Sequence, residues 1–210
     1  YKKLYSLQNN KSEEVTDDAN WFVRAGKKIK IIKGETTNNK ITLNSDINFK
    51  NFIKFGLGFD VHRLVPNKKL YIGGIKIPSS IGTLGHSDGD PVLHAITDAI
   101  LGACSMGDIG EKFSDKNKKF KNIRSTILLD EIIKQTIKKG YLINNLDINI
   151  IIQKPKIQKY KKQITNCIAK ICNISPTQIN IKGKTTEKLG VIGKEKAIAC
   201  EVIASVIKND

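Results

Sequence analysis

The sequence predicts an α+β fold, a mixed β-sheet with helices gathered on one face to give two layers. Apolar residues alternate with polar ones at Leu146, Ile148, Ile150 and Ile152, the period of a strand buried on one side. They recur at helical spacing at Ile123, Ile127, Ile133 and Ile137, and again at Ile157, Tyr160, Ile164, Ile168 and Ile171. Strand-type and helix-type segments follow the order strand, strand, helix, helix, strand, helix, strand, strand, which does not alternate as a doubly wound α/β chain would.

Residues 1–50 are polar, with Asn9-Asn10, Asn38-Asn39 and scattered lysines and no sustained period of 2 or 3.6, and are expected to be a poorly ordered extension. The first residue is Tyr1, so this stretch reads as the start of a truncated or processed chain and as a possible leader remnant. From residue 51 to 210 the texture is that of one folded domain. Phe52 to Asp60 and Leu70 to Ile77 are expected strands, joined by a loop with Pro66 and Asn67. Asp90-Pro91 starts a helix, Asp as N-cap and Pro in the first turn, which runs to Met106 before Gly107. A second helix spans Ile123 to Lys139 and stops at Gly140. The alternating strand follows, then a helix from Ile157 closed by Ser175-Pro176, a short strand at Ile179 to Lys182, and a last strand from Ala197 to Ile207 whose apolar run suits cover on both sides.

A chain of 210 residues with 40% hydrophobic content can bury one real core. Every apolar run is broken well short of the eighteen or so residues a membrane span needs, so no membrane role is expected. The net charge of +16 raises the possibility of an RNA-binding module. Against it, residues 1–50 hold ten Lys/Arg and six Asp/Glu, and the remaining excess is spread over several elements. Aromatic residues are only 6% of the chain, too few for a base-stacking platform. A small anionic ligand fits the sign of the charge as well, and no nucleic acid is expected. Cys104, Cys167, Cys172 and Cys200 lack CxxC spacing and sit in regular segments, so they read as buried thiols of a reducing compartment.

The chain's three histidines, His62, His86 and His94, fall within residues 62–94. Asp60 and His62 are two apart, so on an extended strand both leave the same face and can grip one ion. His94 lies on the helix that begins at Pro91. Two imidazoles and a carboxylate leave a fourth position of Zn²⁺ open, as a catalytic site requires. The alternative is a strand end at the surface and a satisfied core histidine. Asp98, four residues beyond His94, is placed to accept the outer ring N–H of that imidazole or to pair with a basic group. His86-Ser87-Asp88-Gly89-Asp90-Pro91 joins a possible cation and a hydroxyl to a helix N-terminus, where anions are favoured, although a plain capped turn reads equally well. Lys184-Thr185-Thr186-Glu187-Lys188 offers hydroxyls and a cation for phosphate, and a carboxylate for Mg²⁺.

Eight segments taken in order resemble the 2-C-methyl-D-erythritol 2,4-cyclodiphosphate synthase family. They are Gly58 to His62, Ile72 to Gly74, His86 to Asp90, Leu93 to Ala95, Thr97 to Ala99, Gly107 to Gly110, Gln153 to Lys156 and Thr185 to Gly190. The resemblance covers residues 53 to 208. It implies that Asp60, His62 and His94 bind zinc, one ion per subunit, and that Glu187 binds Mg²⁺ or Mn²⁺ bridging the substrate diphosphate. It implies that His86 and Thr185 steady developing charge and that Ser87 touches phosphate. Val61, Asp108, Ile109, Gly110, Phe113, Asp115 and Asn117 would meet the substrate beside the zinc, with the Asp108 to Gly110 turn at the ribose. Ile152, Gln153, Pro155, Lys156, Ile157 and Gln158 would form the cytidine pocket, and Lys184, Thr186, Val191 and Lys194 would complete the substrate contacts.

The family's reaction takes 4-diphosphocytidyl-2-C-methyl-D-erythritol 2-phosphate, a cytidine diphosphate derivative, to a cyclic diphosphate and CMP. A metal-dependent phosphohydrolase is the nearest enzyme alternative. The resemblance also implies a homotrimer with active sites between subunits. It points to a plastid-like organelle such as an apicoplast, or else to the bacterial cytoplasm. The chain departs from the family's pattern at Lys184, where a third threonine is frequent, and at Ser114-Asp115, where Pro-Asp is frequent. Val191 and Lys194 stand where an aromatic residue and an arginine often line a central cavity that accepts isoprenoid diphosphates; lysine is a point charge without the bidentate fork.

Overall fold

The computed structural model describes residues 18–30, 32–34, 53–114, 120 and 123–208. The chain divides into two units, Tyr1–Asn48 and Phe49–Asp210. In the first, helix α1 covers Asp18–Arg24, and Arg24 Nε donates to Asn20 Oδ1 at 3.1 Å, one turn back. Apart from residues 25–30 and 32–34, the rest of the expected polar extension lies outside the described residues.

In the second unit, strand β1 (Ile53–Pro66) is followed by β2 (Leu70–Ile72), β3 (Ile75–Ile77) and β4 (Ile81–Leu84). Helices α2 (Pro91–Ala103), α3 (Ile109–Lys112) and α4 (Ser125–Lys138) come next, then β5 (Tyr141–Ile151), α5 (Lys161–Cys172), β6 (Ile179–Lys184), α6 (Gly190–Gly193) and β7 (Ala197–Lys208). Five strands form one sheet in the order β4-β1-β7-β5-β6, and β2 and β3 form a separate hairpin. Only the β5–β6 pair of the large sheet is parallel, as its crossover through α5 allows. This is the mixed α+β arrangement expected.

The register fixes the site's coordinates. Asp60 pairs with Cys200, Cys200 with Ile150, and Ile150 with Gly183, so these four residues form one row across the sheet. Along β1 the even-numbered residues Gly56, Gly58, Asp60, His62 and Leu64 face the helices, while Phe55, Leu57, Phe59 and Val61 are exposed on the other side. α2 packs directly on β1 and β7, with α4 and then α5 beside it. The core between the layers includes Leu93, Ile96, Ile100, Leu129, Ile132, Ile148, Ile150 and Val202.

α2 packs this closely because both surfaces are small. A Cβ on Gly56 would lie 1.9 Å from the Ala99 carbonyl oxygen, and one on Gly58 would lie 1.9 Å from that of Ala95. The helix start is set by Asp90, which is fully buried. Its Oδ1 accepts from Val92 N at 3.1 Å, Leu93 N at 3.2 Å and Gly73 N at 2.9 Å, and its Oδ2 from Gly74 N at 2.6 Å. One carboxylate thus caps α2 and clamps the β2–β3 turn. Burial pushes its pKa up from the ordinary carboxyl value, helped by the nearby Asp88 charge, with the Gly74, Gly73 and Leu93 N–H groups opposing.

Several expected boundaries shift. The stretch Leu70 to Ile77 is a hairpin rather than one strand, because Gly73 and Gly74 take φ of 60° and 85° and turn the chain. β1 runs on to Pro66 and pairs with β4, a strand absent from the sequence-based reading. β5 starts at Tyr141, ahead of the clean alternation, and absorbs polar Asn144 and Asn145 through a register shift. β7 was expected to be covered on both sides, but Glu201 and Ile203 are exposed, so its middle is covered on one side only.

Candidate metal centre

Asp60, His62 and His94 converge. Asp60 Oδ2 lies 2.9 Å from His62 Nε2 and 3.0 Å from His94 Nδ1, and the two nitrogens are 3.3 Å apart. The first two side chains leave the helix-facing side of β1 and the third comes down from α2, so the close glycine–alanine packing is what lets the groups meet. These three side chains could hold a metal ion, and as a three-ligand set they would leave a position open on a tetrahedral one. His62 Nδ1 donates to the Leu84 carbonyl at 3.0 Å, so in the neutral ring Nε2 carries the lone pair and is the nitrogen that would meet an ion.

The electrostatics suit a cation. Burial works to raise the Asp60 pKa, yet hydrogen bonds and charge from His62 and His94 prevail and hold it well below the usual carboxylate range. Burial works to lower that of His62, but Asp60 and the Leu84 carbonyl bring it above the ordinary imidazole value. Asp98 does not accept from His94, as the spacing had led one to expect. It accepts the Ile109 N–H at 2.8 Å instead, with its pKa raised by burial against that bond. The outer His94 Nε2 meets two hydroxyls, Ser87 Oγ at 3.1 Å and Ser125 Oγ at 2.9 Å.

A cavity of about 280 Å³ opens over this centre, lined by His86, Ser87, Ile109, Gly110, Phe113 and Phe120 among others. His86 Nε2 is buried there without a hydrogen-bond partner among the described residues, available to an anionic oxygen. Residues 53–207 match the YgbB family. The chain belongs to that family.

A bifunctional enzyme IspD/IspF from Pelagibacter ubique is 92% identical over all 210 residues, which span 57% of that relative's length. A 2-C-methyl-D-erythritol 2,4-cyclodiphosphate synthase from Clostridium botulinum (strain Eklund 17B / Type B) is 51% identical over 75% of this chain and 100% of its own. Among solved structures, IspF of Plasmodium falciparum in a CDP complex is 43% identical, with a TM-score of 0.67 over 75% of this chain and 97% of that one. The two sequence relatives are bacterial, and the first shares the Asn- and Lys-rich residues 1–50 as well. The apicoplast-like location expected from that stretch is therefore without support. Among the described residues no helix is long and apolar enough to cross a membrane.

The other YgbB-family motifs gather at a second place. A cavity of about 360 Å³ is lined by Ile152, Lys156, Ile157, Gln158, Lys161, Lys184, Thr185 and Glu187. Thr185 Oγ1 donates to Glu187 Oε1, Thr186 Oγ1 to the Leu189 carbonyl at 2.8 Å, and Lys188 N to Gln153 Oε1 at 3.4 Å, which ties the two motif loops together. Pro155 follows a cis peptide, and Lys154 pairs with Glu195 at 2.9 Å. Glu187 and Lys188 hold φ of 51° and 67°, a costly conformation for non-glycine residues that marks a constrained loop.

Within one chain the two cavities do not join. The row from Asp60 to Gly183 crosses three strand spacings, roughly 14 Å at strand separations of about 4.8 Å. Asp108 caps α3 through Glu111 N at 2.9 Å and lies outside the lining of either cavity, as does exposed Val61. Val191 lies in α6 and Lys194 follows it, both exposed and outside both cavities. Asp115 and Asn117 lie outside the described residues. Lys161, Ser114 and Phe120 line the cavities and Ser125 lies against His94, and none was among the expected site residues, since nothing in their spacing marks them.

Proposed function

We propose that residues 51–210 form a cyclase domain that converts 4-diphosphocytidyl-2-C-methyl-D-erythritol 2-phosphate to 2-C-methyl-D-erythritol 2,4-cyclodiphosphate and CMP, in the non-mevalonate (MEP) pathway of isoprenoid precursor synthesis. The observation that carries it is the convergence of Asp60 Oδ2, His62 Nε2 and His94 Nδ1 within 3.3 Å in a chain of this family. An oxygen of the 2-phosphate attacks the β-phosphorus, the new P–O bond closes the ring, and the bond from that phosphorus to the oxygen of the α-phosphate breaks to release CMP. No protein nucleophile is required.

The protein's task is to fold a flexible polyanion back on itself, worth on the order of 7–11 kcal/mol in favourable intramolecular cases. Asp60, His62 and His94 would hold zinc, and Glu187 would hold Mg²⁺ or Mn²⁺; each ion supplies Lewis-acid and templating chemistry when bound. His86 Nε2, buried and unpartnered, would donate to a phosphate oxygen. Ser87 and Thr185 would add hydroxyl contacts, Lys156 and Lys184 positive charge, and Ile109, Gly110 and Phe113 the wall beside the ribose and erythritol. Ile152 to Gln158 would enclose the cytosine. The cis-Pro155 turn and the 185–188 loop bound that pocket.

A homotrimer with shared sites accounts for the gap between the two cavities, since a neighbouring subunit's nucleotide pocket could complete each metal centre. The exposed stripe of Phe55, Leu57, Phe59 and Ile203 supports this, being the apolar face such packing would cover. Residues 1–50 would be a polar extension held in common with bifunctional relatives. The 92% identity to one of them over all 210 residues supports placing the chain in a larger two-activity protein of the bacterial cytoplasm. The test is phosphorus NMR of purified protein, divalent ion and substrate. Cyclodiphosphate and CMP in equal amounts are expected; linear hydrolysis products alone would mean a phosphohydrolase.

A further inference from the structure

The outer side of His94 carries Ser125 and Asp88, which have no role in the cyclisation proposed above. With Nδ1 turned to Asp60 and His62, it is the nitrogen that would meet the ion, and once its lone pair is given to a metal the ring proton sits on Nε2. That N–H lies 2.9 Å from Ser125 Oγ and 3.1 Å from Ser87 Oγ. The two hydroxyls are not equivalent. Ser87 Oγ accepts from Gly89 N at 3.2 Å, whereas Ser125 is 1% exposed and its Oγ lies 2.5 Å from Asp88 Oδ1. A carboxylate only accepts, so the Ser125 hydrogen points at Asp88 and its lone pairs at His94.

Asp88 is held in turn. Its side chain is 5% exposed, and its Oδ2 lies 2.8 Å from Arg124 Nε. The guanidinium donates through Nη2 to the Gly74 carbonyl at 2.9 Å and stacks 4.1 Å over the Tyr71 ring. Gly74 is also where Asp90 clamps the hairpin turn. The relay therefore ends on the same turn that fixes the start of the helix bearing His94.

We propose that Ser125 and Asp88 are positioning residues for the metal centre: they lock His94 in the Nε2–H tautomer and aim its Nδ1 at the ion. This rests on the metal centre proposed above. It is a carboxylate–histidine pair with a serine hydroxyl inserted, and the polarity of the chain runs one way, from Nε2–H through Oγ–H to Oδ1. Removing the hydroxyl leaves a part-buried N–H with only Ser87, already engaged, as acceptor.

The experiment titrates Zn²⁺ alone into metal-stripped full chain against a competing chelator. Wild type is expected to bind one zinc; Ser125→Ala should bind 10- to 100-fold more weakly, the range expected for loss of an outer partner of a ligand. Asp88→Asn should also weaken binding. The double variant should be no worse than Ser125→Ala, because both act through one imidazole. Nitrogen-15 NMR of the zinc-loaded protein should show a slowly exchanging His94 Nε2 proton in wild type and fast exchange in Ser125→Ala. Zinc affinity and proton exchange unchanged in both single variants would overturn the proposal, and should Ser125→Ala fail to fold, an unchanged Asp88→Asn alone would do so. A wild type that binds no zinc would overturn the metal centre itself, which separates the two failures.

Discussion

Gly58 and Ala95 touch so closely that a Cβ on the glycine would lie 1.9 Å from the alanine's carbonyl oxygen and 2.8 Å from Ala99 N. Asp60 follows Gly58 by two residues on the same face of β1, and His94 precedes Ala95 on α2. The strand–helix separation set at this contact is therefore the separation of two metal-site side chains.

Gly58→Ala should both destabilise the domain and open the site. The obstacle is helix backbone, which cannot rotate away, so the cost belongs at the upper end of overpacking, about 3 kcal/mol. A displacement on the order of 1 Å between β1 and α2 would lower turnover by ~100-fold. Urea unfolding and a zinc titration check this; wild-type stability together with wild-type zinc affinity would refute it.

His94→Ala should lower zinc occupancy and remove activity, since Asp60 and His62 alone make a two-donor site. Glu187→Gln should keep zinc and lose the Mg²⁺ dependence of turnover. Elemental analysis separates them: full zinc in the first variant, or an unaltered Mg²⁺ titration in the second, would each remove a role assigned above.

The parts of this site that could be read from the chain are those carried by local spacing. Asp60 and His62 share a strand face because they are two apart, and Asp90-Pro91 marks a helix start because its chemistry is that of a cap. What could not be read depends on contacts far apart in sequence. Ser125 reaches His94 across 31 residues, and nothing about a serine after an arginine announces it. Asp98 was misjudged for a related reason: one helical turn from His94, it is taken by Ile109 N on another element. The hairpin at Gly73-Gly74 was legible in the two glycines, but alternation on either side masked it.

The thiols offer a check on the core. Cys104, Cys172 and Cys200 are buried and free, and burial pushes the Cys172 thiol up to about 12 and that of Cys200 well above its ordinary value. At pH 8 none of the three should be thiolate or reachable, leaving only half-buried Cys167 to react with a disulfide reagent. Ellman's titration should give at most about one thiol natively against four in denaturant. Two or more reactive native thiols would contradict the packing of α2, α5 and β7.

The β5–β6 edge, beside the cavity that holds Lys156 and Glu187, should show a small, acid-sensitive stabilisation. Lys182 Nζ lies 2.6 Å from Asp147 Oδ2 across the β5–β6 pair, and Asn180 Nδ2 donates to Oδ1 at 2.8 Å. The Lys182 bond is the main cause holding the Asp147 carboxyl below its ordinary pKa. A depressed folded-state value means the contribution is complete above the unfolded pKa of about 3.9 and is lost as pH falls through the folded one. Both side chains are more than a third exposed, 38% and 37%, so screening limits the pair to at most about 0.5 kcal/mol. Asp147→Asn should thus unfold at slightly lower urea than wild type at pH 7 and low salt, with the gap closing in about 0.5 M NaCl, roughly three times physiological ionic strength, and closing again as pH drops below about 4. A gap that persists unchanged under both conditions would mean that Asp147 acts through packing or hydrogen bonding rather than charge.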